Sequence, residues 1–135
     1  MISYRATKKL TQQQLLGLYE DAGWTAYTKD IEQLQQAVQH SLSVITAWKE
    51  DELVGLIRVV GDGLTIIYIQ DILVKKVVQN QGIGFELMQQ ILLKYQVVRQ
   101  KVLLTEEAPA IRHFYEKCGF ISADKGDTVA FVKLS

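Results

Sequence analysis

Two glycines at the start of a helical stretch are the residues best suited to chemistry with an anion. Gly82 and Gly84 lie in the run Gln79-Asn80-Gln81-Gly82-Ile83-Gly84, between a stretch rich in β-branched residues and an amphipathic helix. Glycine lets the backbone approach a ligand closely, and the first N–H groups of a helix, at the positive end of its dipole, suit a phosphate. The pattern alone is typical both of a phosphate cradle and of a plain tight turn.

Residue identity argues against two other phosphate-binding motifs. The P-loop needs Gly-Lys-Ser/Thr, which does not occur, and the dinucleotide fingerprint needs a third glycine where Leu87 stands. The 15 basic and 15 acidic residues give no net field that would attract nucleic acid or an anionic membrane. We therefore expect no nucleic-acid or membrane partner, and any bound anion must be held locally.

The cysteine content limits the redox and metal chemistry that the sequence predicts. Cys118 is the single cysteine, so it can form no internal disulfide and cannot build a metal site by itself. It is either a nucleophile or a small buried side chain. Apolar runs are only a few residues long, too short to span a bilayer. We expect a cytoplasmic protein that needs no metal.

The elements that must position these residues follow from hydrophobic spacing. The 135 residues, 48% of them apolar, are enough for one domain over residues 1–135 with a single core. Thr11 with Gln14, and Asp30 with Gln33, predict capped helix starts. The predicted order is β-α-α-β-β-β-α-β-α-β-β, an α/β (α+β) domain with a mixed sheet. The predicted strands are residues 2–6, 44–49, 53–60, 65–74, 102–104, 120–121 and 129–134.

Two motifs in the second half of the chain resemble one family. Val74 is followed by Gln79-x-x-Gly82-x-Gly84, and later by Phe114-Tyr115-Glu116-Lys117-x-Gly119-Phe120. The spacing and order of these motifs resemble the GNAT family of N-acetyltransferases, from about Ile57 to the C-terminus. The resemblance implies the GNAT fold, with a mostly antiparallel central sheet flanked by helices, and acetyl-coenzyme A as the cosubstrate.

The resemblance also implies where acetyl-coenzyme A would lie. Its pantetheine arm would occupy a slot between two splayed strands, residues 68–74 and 102–105, and bond to the first of them like an added strand. Its pyrophosphate would lie at the glycine turn. The implied contacts are Ile72, Leu73, Val74, Gln79, Asn80, Gln81, Gly82, Ile83, Gly84, Phe85, Phe114 and Lys117.

Catalytic roles come from the same resemblance. Tyr115 matches the family tyrosine that protonates the departing thiolate, although a packed aromatic is the alternative. Asp71 lies beside the implied cofactor strand and could accept the amine proton, directly or through water, or could be a polar bulge residue. His113 and His40 are weaker candidates for the base. In the family, the loop that holds Trp24 and Tyr27 helps to form the acceptor pocket.

The expected reaction is direct transfer of acetyl to a primary amine of a small molecule or peptide, in a ternary complex. Trp24 and Tyr27 favour an amine with apolar bulk, unless Trp24 is only a core residue, and Arg58 could also line the pocket. The asparagine often found before the last helix has no counterpart in residues 106–108. This leaves a non-catalytic coenzyme A-binding module as the alternative. A homodimer through C-terminal strand edges is also expected.

Overall fold

The computed structural model describes residues 1–135, which divide into two compact units, residues 1–104 and residues 105–135. The first unit has the element order β-α-α-α-β-β-β-α-β. Its elements are β1 (Ile2–Ala6), α1 (Gln12–Asp21), α2 (Thr25–Thr28), α3 (Ile31–Gln39), β2 (Ser43–Lys49), β3 (Glu52–Gly61), β4 (Ile66–Val74), a 3-10 turn (Lys76–Val78), α4 (Ile83–Lys94) and β5 (Gln100–Leu103). The second unit contains α5 (Pro109–Lys117) and a 3-10 turn (Ala123–Lys125).

The five strands form one sheet in sequence order. Strands β1 to β4 are antiparallel to their neighbours, and β5 joins the β4 edge in parallel. Helix α4 makes the crossover from β4 to β5, as a parallel pair requires. The mixed, mostly antiparallel sheet with flanking helices confirms the predicted fold class.

Helices α1 and α3 begin where the capping signals predict. Thr11 accepts from the backbone N–H of Gln14 at 3.0 Å, and the Gln14 side chain accepts from the Thr11 N–H at 2.9 Å. Asp30 accepts from the N–H of Gln33 at 3.1 Å. The apolar face of α1 is fully buried, with Tyr19 among the largest core side chains. These helices thus pack their apolar faces into one core.

Strand β4 carries a bulge at its midpoint. Arg58 of β3 faces Asp71, but the next residue, Val59, faces Ile69, so Gln70 is an extra residue in β4. Pairing with β5 ends at the same place, where Ile69 faces Leu103. Strand β5 ends at Leu103, so β4 continues from the bulge to Val74 paired only with β3.

Three details of the predicted order were wrong. The short helix α2 was not predicted, because four residues are too few to show helical spacing. The last two strands, residues 120–121 and 129–134, are not formed in the structure. Their composition favours strands, but strand propensity depends strongly on context and does not form a strand by itself. No helix has the length and apolar character to cross a membrane.

Candidate active site

The glycine turn that begins α4 is open to solvent. Gly82 takes a left-handed conformation with φ of 82°, and Asn80 does so with φ of 64°. No side-chain hydrogen bond caps the helix start, and a Cβ added at Gly82 would meet no atom within 4 Å. Residues 79–82 are exposed. This geometry provides the first N–H groups of a 12-residue helix with room for an anion.

Another glycine, Gly55 in β3, lies next to the start of α4. A Cβ at Gly55 would lie 3.2 Å from Ala47 Cβ, 3.3 Å from Ile83 Cγ2 and 3.3 Å from the Leu73 carbonyl oxygen. Ile83, the first residue of α4, is 2% exposed. The missing side chain therefore allows the helix start to approach β3 closely. The sequence offered one signal for this role, an isolated glycine inside a strand.

Residues next to the turn form hydrogen bonds and an ion pair within the protein. Gln79 donates to the Val74 carbonyl at 3.0 Å, and the N–H of Lys76 donates to Asp21 at 2.9 Å. Lys75 pairs with Glu52 at 2.9 Å, so its charge is already partly balanced. Because Lys75 is paired, the uncapped backbone N–H groups at the start of α4 are the donors that the turn offers to an anion.

The stretch of β4 beyond the bulge has an unpaired edge. Residues 71–74 pair with β3 on one side, and β5 pairs only with residues 66–69 on the other. The slot expected between these two strands would begin here, beyond the last residue of β5, and it stays a prediction. Ile72 and Val74 are half-buried and Leu73 is buried. An extended group could bond to this edge as an added strand would.

Asp71 is a buried carboxylate with three hydrogen-bond donors. Its Oδ2 accepts from Tyr19 Oη at 2.8 Å and from Arg58 Nε at 2.7 Å, and its Oδ1 accepts from Tyr27 Oη at 2.9 Å. The side chains of Arg58 and Asp71 are 7% and 1% exposed. Arg58 also reaches Ser41 Oγ at 3.4 Å. A fully bonded ion pair thus lies directly beside the open edge of β4.

Tyr27 connects this buried pair to the surface. Its hydroxyl donates to Asp71 and accepts from Gln70, the bulge residue, at 2.9 Å. Its ring contacts Tyr19 edge-on, with 5.3 Å between centroids, and lies 6.1 Å from Trp24. Trp24 and Tyr27 are half-buried and pack on the main core. They therefore act as core residues on one side and leave aromatic surface on the other.

The protonation of this cluster follows from its contacts. Burial raises the pKa of Tyr19 and of Tyr27, and the nearby Asp71 charge raises both further. Burial disfavours the charged form of Arg58, but Asp71 outweighs this, so the pKa of Arg58 is raised overall. At neutral pH both phenols keep their protons and Arg58 stays cationic. The cluster has hydroxyl donors but no phenolate base.

The second unit places Tyr115 in a partly enclosed setting. Its ring contacts Phe114 edge-on at 5.1 Å and Phe120 at 6.1 Å between centroids. Burial raises the pKa of Tyr115, and a hydrogen bond with Thr105 lowers it in part. The phenol is therefore protonated at neutral pH and can donate a proton, as a general acid must. Burial also raises the pKa of Cys118, which argues against a thiolate nucleophile.

Arg112 organises the loop before α5. It forms a bidentate pair with Glu107, at 2.6 and 2.7 Å, and donates to Ser122 at 2.9 Å. Glu107 lies in the segment 106–108, and its ion pair with Arg112 links this segment to α5. His113 is exposed on α5, and His40 Nδ1 lies 2.7 Å from the Gln36 carbonyl oxygen at the end of α3. His40 is thus engaged in a local helix-end contact.

Residues 6–133 match the family profile of the acetyltransferase (GNAT) domain. The chain belongs to the GNAT family of acetyltransferases. This confirms the resemblance drawn from the two motifs and identifies the chain as an acyltransferase. The match includes both units of the structure.

Individual relatives agree with this assignment. An uncharacterized N-acetyltransferase of Prochlorococcus marinus is 30% identical over 124 residues, which cover 87% of this chain and 67% of that protein. A GNAT-family acetyltransferase structure from Streptococcus pneumoniae is 35% identical, with a TM-score of 0.90 over 100% of this chain and 98% of the other. AAC(6')-Iy, solved with a coenzyme A bisubstrate analogue, has the same fold, with 16% identity, a TM-score of 0.69 and coverage of 100% and 99%.

Within this GNAT chain, the structure brings four of the predicted site residues of the first unit together. Asp71, Arg58 and Tyr27 form one hydrogen-bonded cluster, and Trp24 contacts it through Tyr27. Sequence reasoning missed Tyr19 and Ser41, whose partners are distant in the sequence, and Gly55. Tyr115, Phe114 and Lys117 lie in the second unit. The roles of all these residues stay predictions.

Proposed function

We propose that this chain transfers the acetyl group of acetyl-coenzyme A directly to a primary amine of a small molecule or peptide, in a ternary complex. One observation carries the proposal. Strand β4 loses its β5 partner at Ile69, and five residues of open strand then lead to an uncapped helix start at Gly82. An open edge followed by an anion-binding turn fits a ligand with an amide-containing arm and a diphosphate.

Residues of the first unit would hold acetyl-coenzyme A, whose thioester supplies the acetyl group. The backbone of Ile72, Leu73 and Val74 would bond to the amides of the pantetheine arm. The turn from Gln79 to Gly84, with Phe85, would contact the pyrophosphate. Since Lys75 pairs with Glu52, backbone N–H groups and the helix dipole would provide most of the attraction. Phe114 and Lys117 of the second unit are further proposed contacts.

Two groups would move the protons of the reaction. The amine nitrogen attacks the thioester carbonyl carbon, a C–N bond forms and the C–S bond breaks. Tyr115 would protonate the departing thiolate sulfur, because its phenol keeps its proton at neutral pH. Asp71 would accept the proton lost by the amine. Both of its oxygens are already bonded, so we propose that this proton reaches it through the Tyr27 hydroxyl or a water.

Trp24, Tyr27 and Arg58 would set the preference for the amine. The two rings offer a half-buried apolar surface, and the Tyr27 hydroxyl and Gln70 offer polar contacts next to it. Such a surface favours an amine with apolar bulk close to the nitrogen. The AAC(6')-Iy structure was solved with a coenzyme A conjugate of acetylneamine, which supports an amine acceptor as a class. The single cysteine agrees with a cytoplasmic location, which is part of the proposal.

Release of free thiol in the presence of a panel of amines tests the proposal. Tyr115→Phe should lower kcat by about 100-fold or more, the usual contribution of a general acid, and leave the KM for acetyl-coenzyme A nearly unchanged. Tyr95→Phe makes the same chemical change outside the proposed site and should retain full activity. An unchanged rate in Tyr115→Phe would remove the role of Tyr115. Binding of acetyl-coenzyme A without transfer to any amine would favour the non-catalytic module.

A further inference from the structure

Two consecutive residues of β4, Gln70 and Asp71, bond to the same hydroxyl. Gln70 Nε2 and Asp71 Oδ1 each lie 2.9 Å from Tyr27 Oη. In a regular strand, consecutive side chains point to opposite faces of the sheet, so they do not converge on one atom. The bulge at Gln70 removes this restriction, because a bulge redirects a side chain. The irregularity of β4 therefore brings an amide and a carboxylate to Tyr27.

The chemistry of the three groups decides which of them donates. The Asp71 carboxylate, which is paired with Arg58, can only accept, so the Tyr27 hydroxyl proton points to Asp71 Oδ1. Because its proton is already used, the Tyr27 oxygen can only accept from Gln70, which must present its NH2 group. The hydrogen bonds thus run in one direction, from Gln70 to Tyr27 to Asp71.

These two hydrogen bonds connect an exposed side chain to a buried carboxylate. Gln70 is exposed, Tyr27 is half-buried and the side chain of Asp71 is 1% exposed. The other oxygen of Asp71 accepts from Tyr19 and Arg58, which are both buried. Tyr27 is therefore the only one of the three donors to Asp71 that is not buried. A proton that comes from a bound ligand can reach Asp71 through this hydroxyl.

We propose that Gln70 is a positioning residue that makes the Tyr27 hydroxyl the route by which the amine proton reaches Asp71. This inference rests on the proposed acetyl transfer, and it deepens it by choosing the hydroxyl over a water. As the amine nitrogen bonds to the carbonyl carbon, its proton passes to Tyr27 Oη while the Tyr27 proton passes to Asp71 Oδ1. The hydroxyl is unchanged at the end, and Asp71 holds the proton.

The bond from Gln70 favours this transfer in two ways. It occupies the side of the Tyr27 oxygen that faces Gln70, so the hydroxyl proton stays directed at Asp71. It also stabilises the partial negative charge that the oxygen carries while its proton leaves. Burial and the Asp71 charge raise the pKa of Tyr27, and the bond from Gln70 lowers it in part. Loss of this donor should therefore slow the proton transfer.

Steady-state kinetics with acetyl-coenzyme A and the primary amine that wild type acetylates fastest test this role. Gln70→Met keeps the length of the side chain and removes the donor. It should lower kcat about tenfold, roughly the effect of one hydrogen bond, and leave both KM values nearly unchanged. Gln70→Glu should lower kcat further, because its carboxylate competes with Asp71 for the Tyr27 proton. Gln13→Glu makes the same change at an exposed residue of α1 and should keep the wild-type kcat.

A double-variant cycle separates a positioning role from direct contact with the substrate. Tyr27→Phe should lower kcat by about 100-fold, within the range of a group that transfers a proton. In the Tyr27→Phe background, Gln70→Met should change kcat by less than about twofold, because the hydroxyl through which Gln70 acts is gone. Direct contact of Gln70 with the amine would instead give the same loss in both backgrounds.

Each contrary result has a distinct meaning. If wild type acetylates amines and Gln70→Met is equally fast, Gln70 has no role and the proposed function stands. Equal losses from Gln70→Met with and without the Tyr27 hydroxyl also overturn the inference, since Gln70 would then act without Tyr27. A wild type that acetylates no amine overturns the proposed function and this inference with it. Because Gln70 is exposed, its variants should unfold at nearly the wild-type urea concentration, which keeps the kinetic comparison valid.

Discussion

Burial of Asp71 requires that its charge be balanced inside the protein. Arg58 and two tyrosine hydroxyls do this, at 2.7 to 2.9 Å. Desolvation of two ions costs as much as their attraction returns, so such a pair adds little net stability. Its removal is different, because an unpartnered charge is then left in the core. At the residue scale the pair therefore acts as a constraint on the site more than as a source of stability.

Arg58→Met should therefore lower the free energy of unfolding by about 3–5 kcal/mol, because it leaves the Asp71 carboxylate without its cation. The double variant Arg58→Met with Asp71→Asn should lose clearly less than the sum of the two single variants. Urea unfolding of all four proteins measures this coupling. Lys75→Met breaks the more exposed pair with Glu52 and should cost at most ~1 kcal/mol. Additive losses would show that Arg58 and Asp71 do not stabilise each other.

Helix α4 must begin at a fixed height above the sheet if its first N–H groups are to meet a pyrophosphate. That height depends on Gly55, since its Cβ would approach Ile83 Cγ2 and the Leu73 carbonyl oxygen at 3.3 Å. A carbonyl oxygen cannot rotate away as a flexible side chain can. At the element scale, a glycine in one strand therefore sets the position of a helix that begins 28 residues later.

Gly55→Ala should lower the free energy of unfolding by about 1–3 kcal/mol, the usual cost of overpacking. It should also weaken acetyl-coenzyme A binding by roughly tenfold, since a shifted helix start loses about 1.4 kcal/mol of contact. Urea unfolding and calorimetric titration measure the two effects. Gly126→Ala is the matched control, because a Cβ there meets no atom within 4 Å and its φ is not left-handed. Equal behaviour of the two variants would exclude the proposed role of Gly55.

Local signals were sufficient for most elements of the first unit. Capping residues and apolar spacing predicted α1 and α3, and alternation predicted β1. Turn residues between apolar runs predicted β2 to β4, and all these features act within a few residues. The glycine turn was predicted for the same reason. The contacts of Asp71 were not, because Tyr19 lies 52 residues away and its spacing on α1 indicates only a core position. Residues 129–134 show the opposite limit, since a sequence that favours a strand forms none there.

At the scale of the whole molecule, the proposed binding of acetyl-coenzyme A has a consequence for stability. A ligand that binds only the folded chain stabilises the whole of it, by an amount that depends on concentration and affinity. This effect depends on binding and not on the chemical step. It therefore separates two parts of the proposal, the site for acetyl-coenzyme A and the role of Tyr115.

Acetyl-coenzyme A at 100 times its dissociation constant should raise the free energy of unfolding by about 2.7 kcal/mol. The midpoint of thermal unfolding should therefore rise by several degrees. In a domain somewhat smaller than this chain, each 1 kcal/mol raises the midpoint by roughly 4–8 °C, and in a larger domain it raises the midpoint by less. Tyr115→Phe should show the same shift, because a proton donor to sulfur contributes to the transition state and not to binding. AMP, which lacks both the diphosphate and the pantetheine arm, is the matched ligand and should give little stabilisation. An equal shift with AMP would mean that neither the second phosphate nor the open edge of β4 contributes to binding.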